Sequence, residues 1–401
     1  MPPDFAALCL TKFPPLARVI IVLCGAVIIH LTIGTYHTYG NMLPYIASYM
    51  RNFTDSSITL EQLVWVPNFQ GCFPFSMVIG GILSTIFGPR KAAFFGCAIM
   101  TTGVFLASWA ITVSLGAFLL TYGVMFGFGQ GIAYVTAVNT AINWAPNNVG
   151  IISGIVAAGF GLSSSIFAPI QTLIINPENY KATTSGYFTQ KELVVRVPSV
   201  FSNLAVYYGV MQIIGLIVMC DPPNEVCRSL YQFPLSNNYN CTKKLFENQT
   251  AATDTNHGKS DTDGEEFSVN TLSMLKSSTF YYLFAALFCC SFYGNMYYNL
   301  YKTYGETFID DDLFMAYAFS SGSIINAFSR IFWGFLADRT NFQLNAMFVC
   351  LAATHALFIT ASVKCFGSKN KSINYGYLIL STVSLPVFFS SNCLCNCYKV
   401  C

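Results

Sequence analysis

The sequence predicts an all-α, multi-pass membrane protein whose helices fall into two bundles. Three observations lead there. The 401 residues are 54% hydrophobic and only 9% charged, against about 25% charged in soluble globular chains. Ten mostly apolar segments stand out, each about the 20 residues that cross the hydrocarbon core of a bilayer. One long polar interruption separates the sixth from the seventh.

The segments run from Val19 to Thr38, Leu63 to Phe87, Ala92 to Val113, Leu115 to Val138, Ile151 to Ile175 and Val200 to Cys220. After the interruption come Thr279 to Leu300, Leu313 to Ala337, Ala346 to Cys365 and Ile373 to Ser390. This divides the chain into a six-helix bundle (1–220), a polar linker (221–278), an incomplete bundle of about four helices (279–392) and a Cys-rich tail (393–401). The linker (NNYNCTKKLFENQTAATDTNHGKSDTDGEE) has too few apolar residues to fold alone.

Composition also excludes. A net charge of +2 without a basic block argues against nucleic acid or a lipid-surface tether. The fifteen cysteines are odd in number and many lie inside apolar stretches, so they pack as small hydrophobes and imply no disulfide framework. Cys393, Cys395, Cys397 and Cys401 lack histidines or a second paired cluster, so no metal site is expected. No HExxH, no GxSxG and no pair of intramembrane carboxylates is present, so the chain is not expected to be an enzyme and no cofactor is called for.

The stretch from Leu313 to Arg339 carries the sharpest signal. Arg330 lies well inside it, with Asn326 one turn earlier. An arginine in hydrocarbon costs roughly 3 kcal/mol on insertion scales and normally faces a bundle interior or a watery cavity. On the first helix, His30, Gly34, His37 and Asn41 recur at spacings of four, three and four, which places them on one face; Tyr36 flanks it. Gly123, Gly127 and Gly131, then Gly150, Gly154 and Ala158, follow the small-xxx-small rule of close helix packing. Two loops have related texture: Gly81, Gly88, Arg90 and Lys91 after the second helix, and Gly334, Asp338 and Arg339 after the eighth. They are candidate conformational latches, because charged contacts at a helix end can break and re-form as bundles rock.

Basic residues do not orient the chain. With a cytosolic N-terminus, eight Lys and Arg fall near cytosolic helix ends and eight on the far side, Lys371 among the latter. Sequons at Asn52 and Asn370 are glycosylation candidates on the far side.

The sequence resembles the major facilitator superfamily, in the branch of oxalate:formate antiporters and monocarboxylate transporters. The motifs are FGFGQGIAYVTA (126–137), INWAPNNVGIISGIVAAGFGLSSS (142–165), INAFSRIFWGFLADR (325–339), NPENY (176–180) and RVPSVF (196–201). The resemblance implies a two-bundle fold of twelve helices, of which this chain would end after the tenth, with both termini and the linker cytosolic. It implies that Arg330 binds a small carboxylate substrate, with Asn326 where monocarboxylate transporters carry an acid, so proton coupling is not expected from that position. Tyr134 matches an aromatic cavity residue, Tyr36 matches more weakly, and His37 completes the candidate site. Expected partners are the carboxylate, membrane lipid and an accessory membrane protein of unknown identity. The expected location is the plasma membrane in preference to an organelle membrane. The rival reading is a non-transporting ten-helix product.

Overall fold

We describe a computed structural model of the chain over residues 5–71, 73–183, 186–223, 271–305, 308–339, 353–367 and 371–379. These residues are helical with short connections, and no strand occurs among them. Six helices are long and apolar enough to cross a membrane: α1 (Pro15–Phe53), α2 (Leu60–Phe87), α3 (Pro89–Val113), α4 (Leu115–Trp144), α5 (Pro146–Ile175) and α6 (Lys191–Val218). Four more follow: α7 (Ser278–Gly305), α8 (Asp312–Arg339), α9 (Ala353–Phe366) and α10 (Lys371–Ile379). The protein is an integral, multi-pass membrane protein. The Cys-rich tail, Asn370 and most of the linker lie outside the described residues.

α1 is longer than hydropathy predicts. It continues past Thr38 to Phe53, with a 3₁₀ stretch at Gly34–Thr38. The hydroxyls of Thr32, Thr35 and Thr38 donate back to Ile29, Thr32 and Thr35 carbonyls at 2.7, 2.7 and 2.8 Å. Such back-bonds satisfy polar side chains in lipid and distort the helix locally. Beyond the 3₁₀ turn the polar residues are bonded to other helices. Asn41 donates to the Ala168 carbonyl and Thr172 hydroxyl of α5 at 3.2 and 3.1 Å. A hydropathy window counts such residues as loop; packing makes them core.

α5 lies along α8 from end to end, and α1 packs on α5, α6 and α7. The backbones of Gly150 and Gly334 touch, so that a Cβ on either would strike the other's carbonyl oxygen. Gly127 lies against the Gln70 backbone of α2. Small residues therefore do the close packing that their spacing predicts. Gly88 starts α3 at φ 88°, a backbone region that favours glycine.

α10 corrects one sequence-based placement. It packs against α2, and Lys371 at its start donates to Asn143 Oδ1 at 2.6 Å. Asn143 in turn donates to Asp221 at 2.8 Å, beside the Trp144 indole bound to the Cys220 carbonyl. Lys371 is therefore on the linker side of the molecule, not the far side, because its ammonium finds polar partners at the α4 and α6 ends. Burial pushes the Asp221 carboxyl up, opposed by the Asn143 bond and the Lys371 charge.

Candidate functional site

Arg330 lies between α5 and α8, 2% exposed. Its Nε donates to Asn326 Oδ1 at 2.8 Å and its Nη1 to the Ala157 carbonyl at 3.0 Å. The first contact follows from helical spacing, since residues four apart stack on one face. Nη2 makes no hydrogen bond among the described residues, and no carboxylate there pairs with the guanidinium. A buried guanidinium with one arm of its fork unbonded among the described residues has donor geometry suited to a carboxylate.

Aromatic rings enclose it. The guanidinium carbon stands 5.9 Å from the Phe160 ring centre. Phe160 meets Tyr134 edge-on at 5.6 Å and His37 edge-on at 5.0 Å. Tyr134 lies 4.7 Å from His30; His37 lies 5.3 Å from Tyr36 and stacks on Tyr298 of α7 at 4.0 Å. Tyr375 of α10 is buried in the same core as Tyr134 and Phe160. Asn326, Arg330, Tyr134 and His37 thus gather around Phe160, with Tyr36 reached through His37. His30 Nε2 and both polar atoms of the Gln130 amide are buried without hydrogen-bond partners among the described residues, adding polar capacity to an apolar cluster. Phe160, Tyr298, Tyr375 and Gln130 were not singled out in the sequence. Gln130 carried a readable signal, standing one turn before Tyr134 on α4.

The latch residues divide. Asp338 accepts the backbone N–H groups of Gly150 and Ile151 at 2.7 and 2.8 Å, at the start of the helix Val149–Ile175. A carboxylate there meets orphan donors and the positive end of the helix dipole. Gly334 makes the approach possible. Arg339 folds over its own helix, 4.4 Å from the Phe335 ring. The other loop serves a different helix: Arg90 donates to the Met219 and Ile217 carbonyls at 3.0 and 3.1 Å and caps α6. Gly81 is buried within α2, accepting from Thr85 at 2.9 Å, while Lys91 is exposed.

A second polar cluster lies at the other end of α8, and sequence reading passed over it. Lys302, 0% exposed, faces Asp312 Oδ1 at 2.5 Å. Lys302 donates to Asn41 Oδ1 at 3.1 Å and the Asn41 carbonyl at 3.3 Å, and lies 4.2 Å from the Tyr45 ring centre. Asp312 Oδ2 accepts from the Tyr45 hydroxyl and from Asn176 at 2.8 Å. Outside the membrane, Arg196 bonds Glu178 at 3.1 Å and holds its carboxyl below the usual range. Asp311 is likewise held low, first by the Phe314 N–H and then by Asn179.

Comparison with known proteins follows the same lines. The chain is 24% identical to apicoplast pyruvate carrier 1 of Toxoplasma gondii, over 91% of this chain and 81% of that one. It is 23% identical to the oxalate:formate antiporter of Oxalobacter formigenes, over 83% and 73%. The fold matches the xylose transporter XylE from E. coli in a partially occluded inward-open conformation, with a TM-score of 0.57 and 12% identity over 93% of this chain and 92% of that one. Residues 22–396 match the Major Facilitator Superfamily, and the chain belongs to that family of transporters and not to a class of enzymes.

Proposed function

We propose that this protein is a secondary transporter of small organic anions, of the monocarboxylate or oxalate and formate kind, with Arg330 binding the carboxylate and access alternating between the two ends of α8. The observation that carries this reading is the buried guanidinium with Nη2 unused and no carboxylate paired with it among the described residues. Asn326 and the Ala157 carbonyl hold the fork; Tyr134, His37 and Phe160 wall the chamber. The named carboxylate substrates of relatives, pyruvate and oxalate with formate, support an acid of one to three carbons. The Asp338 contact to the start of the Val149–Ile175 helix serves as the latch at the linker end.

The test is uptake of radiolabelled pyruvate, lactate, formate and oxalate by proteoliposomes containing the full chain. A charge-assisted hydrogen bond contributes about 1.5–3 kcal/mol, so Arg330→Ala should lower uptake by at least about tenfold. Arg330→Lys keeps the charge but loses the fork and should raise KM more than it lowers kcat. Uptake unchanged in both variants removes Arg330 from the site; a folded wild type that moves none of the four acids refutes the substrate class.

A further inference from the structure

We infer that His30 and Gln130 form a second, polar pole of the substrate site and select acids that carry a hydroxyl group, a reading that rests on Arg330 as the carboxylate anchor. It begins from two side chains that the bundle leaves unsatisfied. His30 and Gln130 are both 0% exposed. Among the described residues, His30 Nε2 and both polar atoms of the Gln130 amide have no hydrogen-bond partner. Buried polar groups without partners are expensive, most of all in a bilayer.

Neighbouring polar groups are satisfied. On α4 itself, Thr136 and Thr140 return their hydroxyls to the Ile132 and Thr136 carbonyls at 2.7 and 2.9 Å, and Asn139 donates to the Val135 carbonyl at 2.7 Å. Gln212 of α6 accepts from Thr101 at 2.6 Å and donates to Thr32 at 3.0 Å. Among the described residues Gln130 is the one side-chain amide buried with both ends unbonded. Its position joins it to the candidate site. His30 lies 4.7 Å from the Tyr134 ring, which meets Phe160 at 5.6 Å. Gln130 stands one turn before Tyr134 on the same face of α4, about 6 Å away along the axis. A Cβ on Gly159 would meet His30 Cβ at 3.4 Å, and one on Gly161 would meet Arg330 Nε at 3.3 Å. These glycines flank Phe160 on one turn of α5, so the histidine and the guanidinium stand on either side of that residue.

The selectivity follows from counting donors. The Ala26 carbonyl can only accept, so its 2.9 Å contact with His30 Nδ1 places the proton there, and the neutral ring presents a bare lone pair at Nε2. A charged ring would be a second buried cation with no carboxylate paired to it among the described residues, which is strongly unfavourable. Nε2 therefore calls for a donor, and neither a carboxylate nor a keto oxygen supplies one. A hydroxyl serves both groups, donating to Nε2 and accepting from the Gln130 amide. A keto oxygen satisfies Gln130 but leaves Nε2 facing another lone pair, and a methyl group leaves both unpaired. At equal carbon number the ranking is hydroxy acid, then oxo acid, then unsubstituted acid, because a site with buried polar groups rejects an analogue that leaves them unpaired.

The experiment reads binding, as protection of the full chain in nanodiscs against thermal unfolding, with lactate, pyruvate, propionate and oxalate as probes. Lactate should half-saturate at a concentration at least about tenfold below that of propionate, with pyruvate between them. His30→Phe keeps a ring and removes the acceptor, so lactate should fall to the level of pyruvate. His30→Gln, which supplies an amide oxygen in its place, should keep the lactate preference. Gln130→Met should bring pyruvate to the level of propionate. Equal half-saturation by lactate and propionate, oxalate tighter than lactate, or wild-type ratios in both His30→Phe and Gln130→Met overturns the inference, and the first two of these need no variant to fold. Arg330→Ala should weaken all four acids together and keep their ratios. Should it weaken none while His30→Phe still removes the lactate preference, the carboxylate anchor fails and the polar pole stands; protection by no acid overturns both.

Discussion

Replacing Asp338 with asparagine tests the linker-end latch directly. The carboxylate accepts two backbone N–H groups, from Gly150 at 2.7 Å and Ile151 at 2.8 Å. Hydrogen bonds to a charged group contribute about 1.5–3 kcal/mol each against about 0.5–1.5 for neutral pairs. An anion at a helix start adds roughly 0.3–1 kcal/mol. Asparagine keeps one neutral acceptor, and Asp338 is partly exposed, so solvent screening trims the difference. The net loss is about 2 kcal/mol, or roughly 30-fold in the closed-to-open ratio at about 1.4 kcal/mol per decade. Hydrogen–deuterium exchange at the Gly150 and Ile151 amides in nanodiscs reads that ratio, because exchange requires the latch to open. Protection should fall about 30-fold in Asp338→Asn, and also fall in Gly334→Ala, where the added Cβ meets the Gly150 carbonyl oxygen. Protection unchanged within twofold in Asp338→Asn would refute the reasoning, since the two bonds would then hold nothing closed.

Two further outcomes follow from groups outside the membrane. Glu178 is held low by Arg196; a depressed carboxyl contributes stability above its unfolded value of about 4.3, and that contribution is lost as pH falls through the lower folded value. Exchange in the α5–α6 connection should therefore rise in wild type below about pH 4 but not change further in Glu178→Gln, and parallel acid profiles would dismiss the pair. Asn52 is exposed at the end of α1, so the full chain expressed in a glycosylating host should lose a mobility shift in Asn52→Gln if that end is luminal or extracellular; a shift lost in Asn240→Gln instead would reverse the orientation.

What could be read in the sequence depended on contrast with the surroundings. Arg330 was legible because a guanidinium stands out in an apolar helix, and Asn326 because it lies one turn away. Phe160, Tyr298 and Tyr375 were not: in a chain that is 16% aromatic, three more rings carry no signal until packed helices bring them together. Lys302 and Asp312 failed for the opposite reason. They stand where α7 ends and α8 begins, ten residues apart across a short polar turn, so each reads as a solvated helix-end charge. Only α1, running on past its hydropathic boundary with Asn41 and Tyr45, buries them. The stretch from Leu313 to Arg339 therefore shows Arg330, Asp338 and Arg339 in the sequence, while the helix it forms adds the buried Asp312 at its other end. On the proposed reading, an anion site between two ends that open in turn has the layout that alternating access requires, and the two ends differ in chemistry. The Asp338 contact is to backbone N–H groups at a helix start; the Asp312 cluster pairs a carboxylate with an ammonium.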